Sequence, residues 1–236
     1  YHHLFVWHNS RQEVVGAYRL GLSEEIIPNR GTYGLYTTTL FRFPDSWWLN
    51  VAPAIELGRS FVRLEHQRSY GALLALWRGI GAFLERHPQY RYLFGPVSIS
   101  GRYKTASKQL IASYLQSGQE PSVTPAVKAR TPPHSSFQLK RDMERQPLHI
   151  LRLEDIDSMI KDIEPDRCGL PVLLRHYVNL GGRILAFNED ARFASAVDGL
   201  LLIDLLNADL RRLDRFLGKG VIDKIAAAAN KDHVAA

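Results

Sequence analysis

An α/β or α+β domain with a mixed sheet is the fold this sequence predicts. Segments with strand chemistry alternate along the chain with segments of helical apolar spacing. The composition, 45% hydrophobic over 236 residues, is enough to bury a sizeable core. The expectation is one domain over residues 1–220, with a polar insertion at 118–150 and a tail at 221–236.

Leu4 to Trp7 and Val14 to Leu22 read as two strands, and the polar Asn9–Gln12 between them makes a hairpin. Gly34 to Phe43, rich in β-branched and aromatic residues, reads as a third strand. Ala54 to Arg63 reads as a fourth. Tyr70 to His87 is a helix, with Leu73, Leu74, Trp77, Ile80 and Leu84 at helical spacing and Pro88 after its end. Gly79 and Gly81 inside it cost stability unless they allow close packing on a sheet. Tyr92 to Ser100 is a strand, and Ala106 to Gln116 an amphipathic helix stopped by Gly118. The segment from Gly118 to Pro147 is polar and proline-bearing, a solvated loop or a basic docking arm. Beyond it come a helix at Leu170–Leu180, strands at Arg183–Phe187 and Val197–Leu205, and a last helix capped by Asn207 and closed by Gly218. The tail from Ala226 is expected to fray.

Composition excludes several classes. The single cysteine, Cys168, rules out an internal disulfide. The longest apolar runs are far too short to span a bilayer. No zinc spacing, P-loop or nucleic-acid signature is present, so no metal and no nucleic-acid partner is expected. The net charge of +6 suits an acidic partner, or serves solubility alone.

The fourth strand is the informative one. Glu56 and Arg59 interrupt an apolar run, with Gly58 between them. In a regular strand residues three apart point to opposite faces. A bulge at Gly58 would bring both to one face, towards a pocket. The alternative is a buried ion pair that satisfies only itself. After the strand, Arg68, Ser69, Tyr70, Gly71 and Ala72 lead into a helix N-terminus. Free N–H groups and the helix dipole make such a turn an anion site.

Together these pieces resemble the GNAT acyltransferases, whose fourth strand is bulged and whose R/Q-x-x-G-x-G/A loop cradles a pyrophosphate or carrier phosphate. Arg68-Ser-Tyr-Gly71-Ala-Leu73 matches except at Leu73, which favours a single-phosphate carrier. Val14–Leu20, Tyr36–Phe41 and Glu56–Val62 are similar to the ornithine-lipid and glycine-lipid N-acyltransferases, the hemolysin-like branch related to the acyl-homoserine-lactone synthases. Leu93–Ser100, Pro171–Arg183 and Val197–Asp204 also fit that branch. The resemblance implies a GNAT fold with helices on both faces of the sheet. The family's domain usually has a further strand and helices upstream of the segment resembling Tyr1–Val6, and these are not in this sequence.

The resemblance implies transfer of a (3-hydroxy)acyl group from acyl carrier protein to the α-amine of ornithine, with glycine next, to give a lyso-aminolipid. Glu56 takes the role of base, and a carboxylate paired with Arg59 suits amine positioning and a water relay. Arg19 and Arg59 are the carboxylate-binding pair. Backbone N–H groups around Phe61, Val62 and Arg63 are candidate oxyanion donors. Tyr114 is the candidate proton donor to the leaving thiolate, a role that competes with plain core packing. Ser98 is a candidate for the pantetheine channel, and Trp48 for an acyl tunnel. No permanently bound cofactor is implied; the co-substrate is the acyl-phosphopantetheine of the carrier, or acyl-CoA. The resemblance also implies a cytoplasmic protein, peripheral on the inner face of the membrane. Two other readings stay open: a GNAT using acetyl- or short acyl-CoA on another amine, and a non-catalytic carrier- or lipid-binding module of a fused protein.

Overall fold

The computed structural model describes residues 1–67, 70–117, 126–133, 148–190 and 195–235. The chain divides into two compact units. One is formed by residues 1–36, 51–95 and 203–236, the other by 37–50 and 96–202.

The first unit is built on a hairpin. Strand β1 (His2–His8) pairs antiparallel with β2 (Glu13–Leu22), which pairs antiparallel with β4 (Ala54–Val62). β4 then runs parallel to β5 (Tyr92–Ile99), over Ala54↔Tyr92, Ile55↔Leu93 and Glu56↔Phe94. This mixture of directions is the one expected. Helix α1 (Ser23–Arg30) follows β2, and its start is tied to β4 by the Ala54 N–H donating to Ser23 Oγ at 2.8 Å.

Helix α3 (Tyr70–Arg86) covers this sheet with four of the five residues its spacing predicts. Leu73, Trp77, Ile80 and Leu84 are buried, and Leu76 is buried in place of the expected Leu74, which is half-buried. Each such side chain contributes roughly 1.5–3 kcal/mol of burial. The two glycines in α3 do allow close packing, but only one does so on the sheet. A β-carbon at Gly79 would lie 2.8 Å from Leu4 of β1. One at Gly81 would lie 1.8 Å from the carbonyl oxygen of Leu217, at the end of helix α7 (Leu210–Leu217). Asp209, not Asn207, caps α7, accepting from the N–H groups of Arg211 and Arg212. Helix α8 (Val221–Ala235) continues almost through the segment expected to fray. Arg91 grips Asp204 with two parallel hydrogen bonds of 2.7 and 2.6 Å.

The segment expected as a third strand, Gly34 to Phe43, is wound instead. Thr32–Gly34 and Tyr36–Thr39 form single 3₁₀ turns, and only β3 (Phe41–Arg42) is extended. Its buried residues do not alternate: they are Leu35, Thr37, Thr38, Leu40 and Phe41. Strand propensity depends on a half-buried pleat to pack against, and here the residues are used in turns.

In the second unit β7 (Arg183–Asp190) pairs antiparallel with β8 (Ala196–Asp204), whose last two residues belong to the first unit. Gly199 leaves room for Ile184 and Phe187. β3 pairs with β6 (Lys128–Ala129). Helices α2 (Asp45–Val51), α4 (Thr105–Gln116), α5 (Leu153–Ile163) and α6 (Val172–Asn179) complete it among the described residues. Buried Asp157 of α5 accepts from the Leu170 N–H at 2.7 Å and from Arg175, which fixes α6. Of the polar insertion, residues 118–125 and 134–147 lie outside the described residues.

Candidate functional site

The charged interruption of β4 sits on a bulge. Leu22↔Ile55, Gly21↔Glu56, Leu20↔Leu57 and Arg19↔Gly58 pair in step. The next pairs are Ala17↔Phe61 and Gly16↔Val62. β4 therefore carries one extra residue, at Arg59–Ser60, one position after the expected Gly58. The left-handed conformation falls on Arg59, with φ +48°. That costs a non-glycine residue roughly 1–2 kcal/mol. Nothing lies within 4 Å of a β-carbon built at Gly58.

The bulge brings Glu56 and Arg59 to the same neighbour. Glu56, with no exposed surface, accepts the Tyr36 N–H at 3.2 Å. The Arg59 guanidinium lies over the Tyr36 ring, 4.8 Å from its centre. The 3₁₀ turn that replaced the expected strand is what aims this N–H at the carboxylate.

Tyr1 completes the arrangement. Its hydroxyl donates to Glu56 Oε2 and accepts the Tyr36 N–H at 2.9 Å. Its ring lies under the Arg19 guanidinium, 4.1 Å from carbon to ring centre. Gly21 makes the space: a β-carbon there would stand 2.6 Å from the Tyr1 ring. Burial raises the Tyr1 phenol above the ordinary tyrosine value, and the hydrogen bond and charge of Glu56 raise it further; the Tyr36 N–H and Arg19 pull it back. Arg19 Nε is buried and has no hydrogen-bond partner among the described residues. A desolvated guanidinium nitrogen without a partner is costly, and a ligand carboxylate would satisfy it.

Tyr1, Gly21 and Tyr36 are the members that sequence reasoning missed. The signal was there for Tyr1. β1 pairs His2 with Leu20, so the next step along the hairpin sets Tyr1 against Gly21, beside Glu56.

The other expected residues are placed as follows. The Arg63 N–H donates to the Val15 carbonyl at 2.9 Å, so it is committed to the sheet and is not an oxyanion donor. Alternation along a strand then turns the Val62 N–H towards the opposite edge of β4. Phe61 is half exposed, and the Arg63 side chain is paired with Glu13 at 2.7 Å. Arg68 and Ser69 lie outside the described residues, as does the side chain of Tyr70. Gly71 and Ala72 are in the first turn of α3, where free N–H groups face an incoming anion. Gln67 ties the preceding turn to β4, donating to the Val62 carbonyl at 2.7 Å.

Ser98, Tyr114 and Trp48 belong to the second unit. Ser98 donates to buried Asp198, whose carboxyl is pushed up by burial. Tyr114 is half-buried on α4, and burial raises its phenol as well. Trp48 packs edge-on against Trp47, their ring centres 4.6 Å apart. Glu164, Asp166 and Cys168 bring possible metal-ligand atoms within 4.8 Å. Glu164 and Asp166 each accept a backbone N–H, from Lys104 and Cys168, so local structure already uses both carboxylates. Among the described residues, no helix is long and apolar enough to cross a membrane.

Residues 1–78 match the model of the acetyltransferase (GNAT) domain, and every member of the Tyr1–Arg19–Tyr36–Glu56–Arg59 constellation falls inside that match. The mixed sheet agrees with a GNAT fold. Two curated relatives share more of the chain. The glycine N(alpha)-acyltransferase of Bacteroides thetaiotaomicron is 34% identical over 136 residues, covering 53% of this chain and 40% of that protein. The glycine N(alpha)-acyltransferase of Phocaeicola vulgatus is 32% identical over 123 residues, covering 49% of this chain and 38% of that protein. The matched segments thus span about two fifths of these relatives' length. No solved structure matches the chain. The domain match and both relatives support an acyltransferase enzyme.

Proposed function

We propose that this chain transfers a fatty acyl group from a thioester to the α-amine of a small amino acid, glycine first and ornithine second. The carrying observation is a carboxylate and an arginine joined through one tyrosine. Glu56 is the proton acceptor of the site, and Arg19, with its unpartnered Nε, is the group for the amino acid's carboxylate. The amine nitrogen attacks the thioester carbon and loses a proton towards Glu56. The carbon–sulfur bond breaks and the thiol leaves. The two relatives favour glycine over ornithine as acceptor.

The donor in this proposal is an acyl-phosphopantetheine on acyl carrier protein, whose acidity the chain's net charge of +6 suits. Acyl-CoA is the alternative. The N-terminus of α3, from Gly71 and Ala72, is the proposed phosphate site. The product would be a lyso-aminolipid, so peripheral contact with a membrane face belongs to the same proposal. A second reading, acetyl or short acyl transfer to another amine, is favoured by the description of the matched domain.

Thiol release tests the reading, with 3-hydroxyacyl carrier protein, long-chain acyl-CoA and acetyl-CoA as donors across a panel of amino acids. Release from a long-chain donor that requires glycine, and that falls away in Glu56→Gln, supports the proposal. Release from acetyl-CoA alone moves the assignment to the second reading. No release with any pair overturns both.

A further inference from the structure

Glu56 has no exposed surface, yet the proposed reaction needs a proton to reach it. Tyr1, whose hydroxyl is hydrogen-bonded to Glu56, is 39% exposed. Its hydroxyl has two acceptors in reach, the Gly34 carbonyl at 3.3 Å and Glu56 Oε2, and the carboxylate is the nearer. Its oxygen still accepts, and already takes the Tyr36 N–H at 2.9 Å. A hydroxyl that can donate to a carboxylate while its oxygen accepts has the chemistry of a proton relay.

We propose that Tyr1 is a catalytic residue of the acyl transfer: its hydroxyl oxygen receives the amine proton while its own proton passes to Glu56. This rests on the acyltransferase reading above. The nitrogen–carbon bond forms as the amine proton moves to Tyr1 Oη, and the phenolic proton moves to Oε2 in the same step. The carbon–sulfur bond then breaks, and the proton held by Glu56 returns through Tyr1 to the leaving thiolate or to water. No net charge is left on the tyrosine. That matters because the partly desolvated phenol, beside a carboxylate, resists ionisation. Arg19 contributes by holding the ring from one face. In this proposal it also takes the amino acid's carboxylate, which sets the α-amine beside the Tyr1 ring.

The relay differs from a purely structural clamp in what its removal does. Tyr1→Phe keeps the ring for Arg19 and Gly21 and deletes only the hydroxyl. With long-chain acyl carrier protein and glycine as substrates, the relay requires three results. Tyr1→Phe lowers kcat by roughly 100-fold, the scale of one proton-transfer residue, and leaves the glycine KM little changed. The thermal midpoint stays close to that of the unaltered protein. The double variant Tyr1→Phe/Glu56→Gln is no slower than the slower single one, because two members of one relay do not lose independently. A Tyr1→Phe protein with the unaltered kcat overturns the proposal, as do losses that multiply in the double variant. Absence of turnover in the unaltered protein, with every donor and amine, overturns the acyltransferase reading and the relay together.

Discussion

Gly95 of β5 lies so close to Leu57 of β4 that a β-carbon on it would stand 2.1 Å from the Leu57 carbonyl oxygen. The contact falls one residue beyond the Glu56↔Phe94 pair. It therefore sets how near the two parallel strands approach beside the buried carboxylate. Alanine at 95 must push the strands apart, because a backbone oxygen cannot swing away. Gly95→Ala is expected to lower stability by roughly 1–3 kcal/mol, the range for overpacking. It should also lower the acyl-transfer rate more than a distant substitution of equal stability cost. Chemical denaturation and steady-state kinetics on the same samples check both.

Two glycines of α3 should answer substitution with opposite signs. At Gly81 the Leu217 carbonyl oxygen leaves no room, and Gly81→Ala should cost roughly 2 kcal/mol or more. At Gly71 nothing lies within 4 Å, and Gly71→Ala should gain up to about 1 kcal/mol of helix propensity. Denaturation midpoints of the pair decide it. A loss at Gly71 equal to that at Gly81 would mean the helix start is not packed as described.

Arg59 occupies a left-handed position that glycine would adopt without strain. Arg59→Gly is expected to hold or raise stability by about 1 kcal/mol. It removes the guanidinium from the Tyr36 ring, so activity should fall. A variant both more stable and fully active would remove Arg59 from the site.

Arg19→Lys keeps the charge and loses the two-pronged grip of a guanidinium on a carboxylate. The expected outcome is a rise in the glycine KM of roughly tenfold, about 1.4 kcal/mol of binding, with kcat less affected. Amines without a carboxylate should show no such penalty. An equal rise for those amines would point to a loss of the Tyr1 contact instead.

His176 of α6 gives a pH dependence unrelated to catalysis. Burial holds its imidazole down to about 4, against an ordinary value of 6.5. Below 6.5 the unfolded chain takes up a proton that the folded chain refuses until about 4. Its contribution is therefore fully present above 6.5 and is lost progressively as pH falls to 4. The loss amounts to at most about 3 kcal/mol at about 1.4 kcal/mol per pH unit. The stability of His176→Leu should fall less steeply across that window. An equal loss of stability between pH 7 and pH 5 in both proteins, read from urea titrations at each pH, would contradict the prediction.

Much of this was legible in the sequence, for physical reasons that can be named. β2, β4, α3 and β5 showed because their apolar periods coincide with what they bury. The bulge showed because Glu56 and Arg59 could not otherwise share a side of β4. Its position was missed by one residue because Gly58 is the cheaper place for a left-handed turn, and Arg59 took it. The Gly34–Phe43 stretch misled because threonines and aromatics favour strands only where a pleat awaits them. Tyr1 was missed because its contact with Glu56 spans 55 residues of sequence. Only the hairpin register, carried across β2, brings them together.

The extra residue in β4 acts as a phase shift. With it, Phe61 stands opposite Ala17 and faces outward, half exposed, while Val62 stands opposite Gly16. Deleting Arg59 would set Ser60 opposite Tyr18 and leave Phe61 opposite Ala17 and Val62 opposite Gly16, so the ladder would run in step. The faces on both sides of the bulge would be kept, and the left-handed turn at Arg59 would go. The bulge is thus a place where this strand can lose a residue without exchanging surface for core, and what it gives up is the guanidinium over Tyr36.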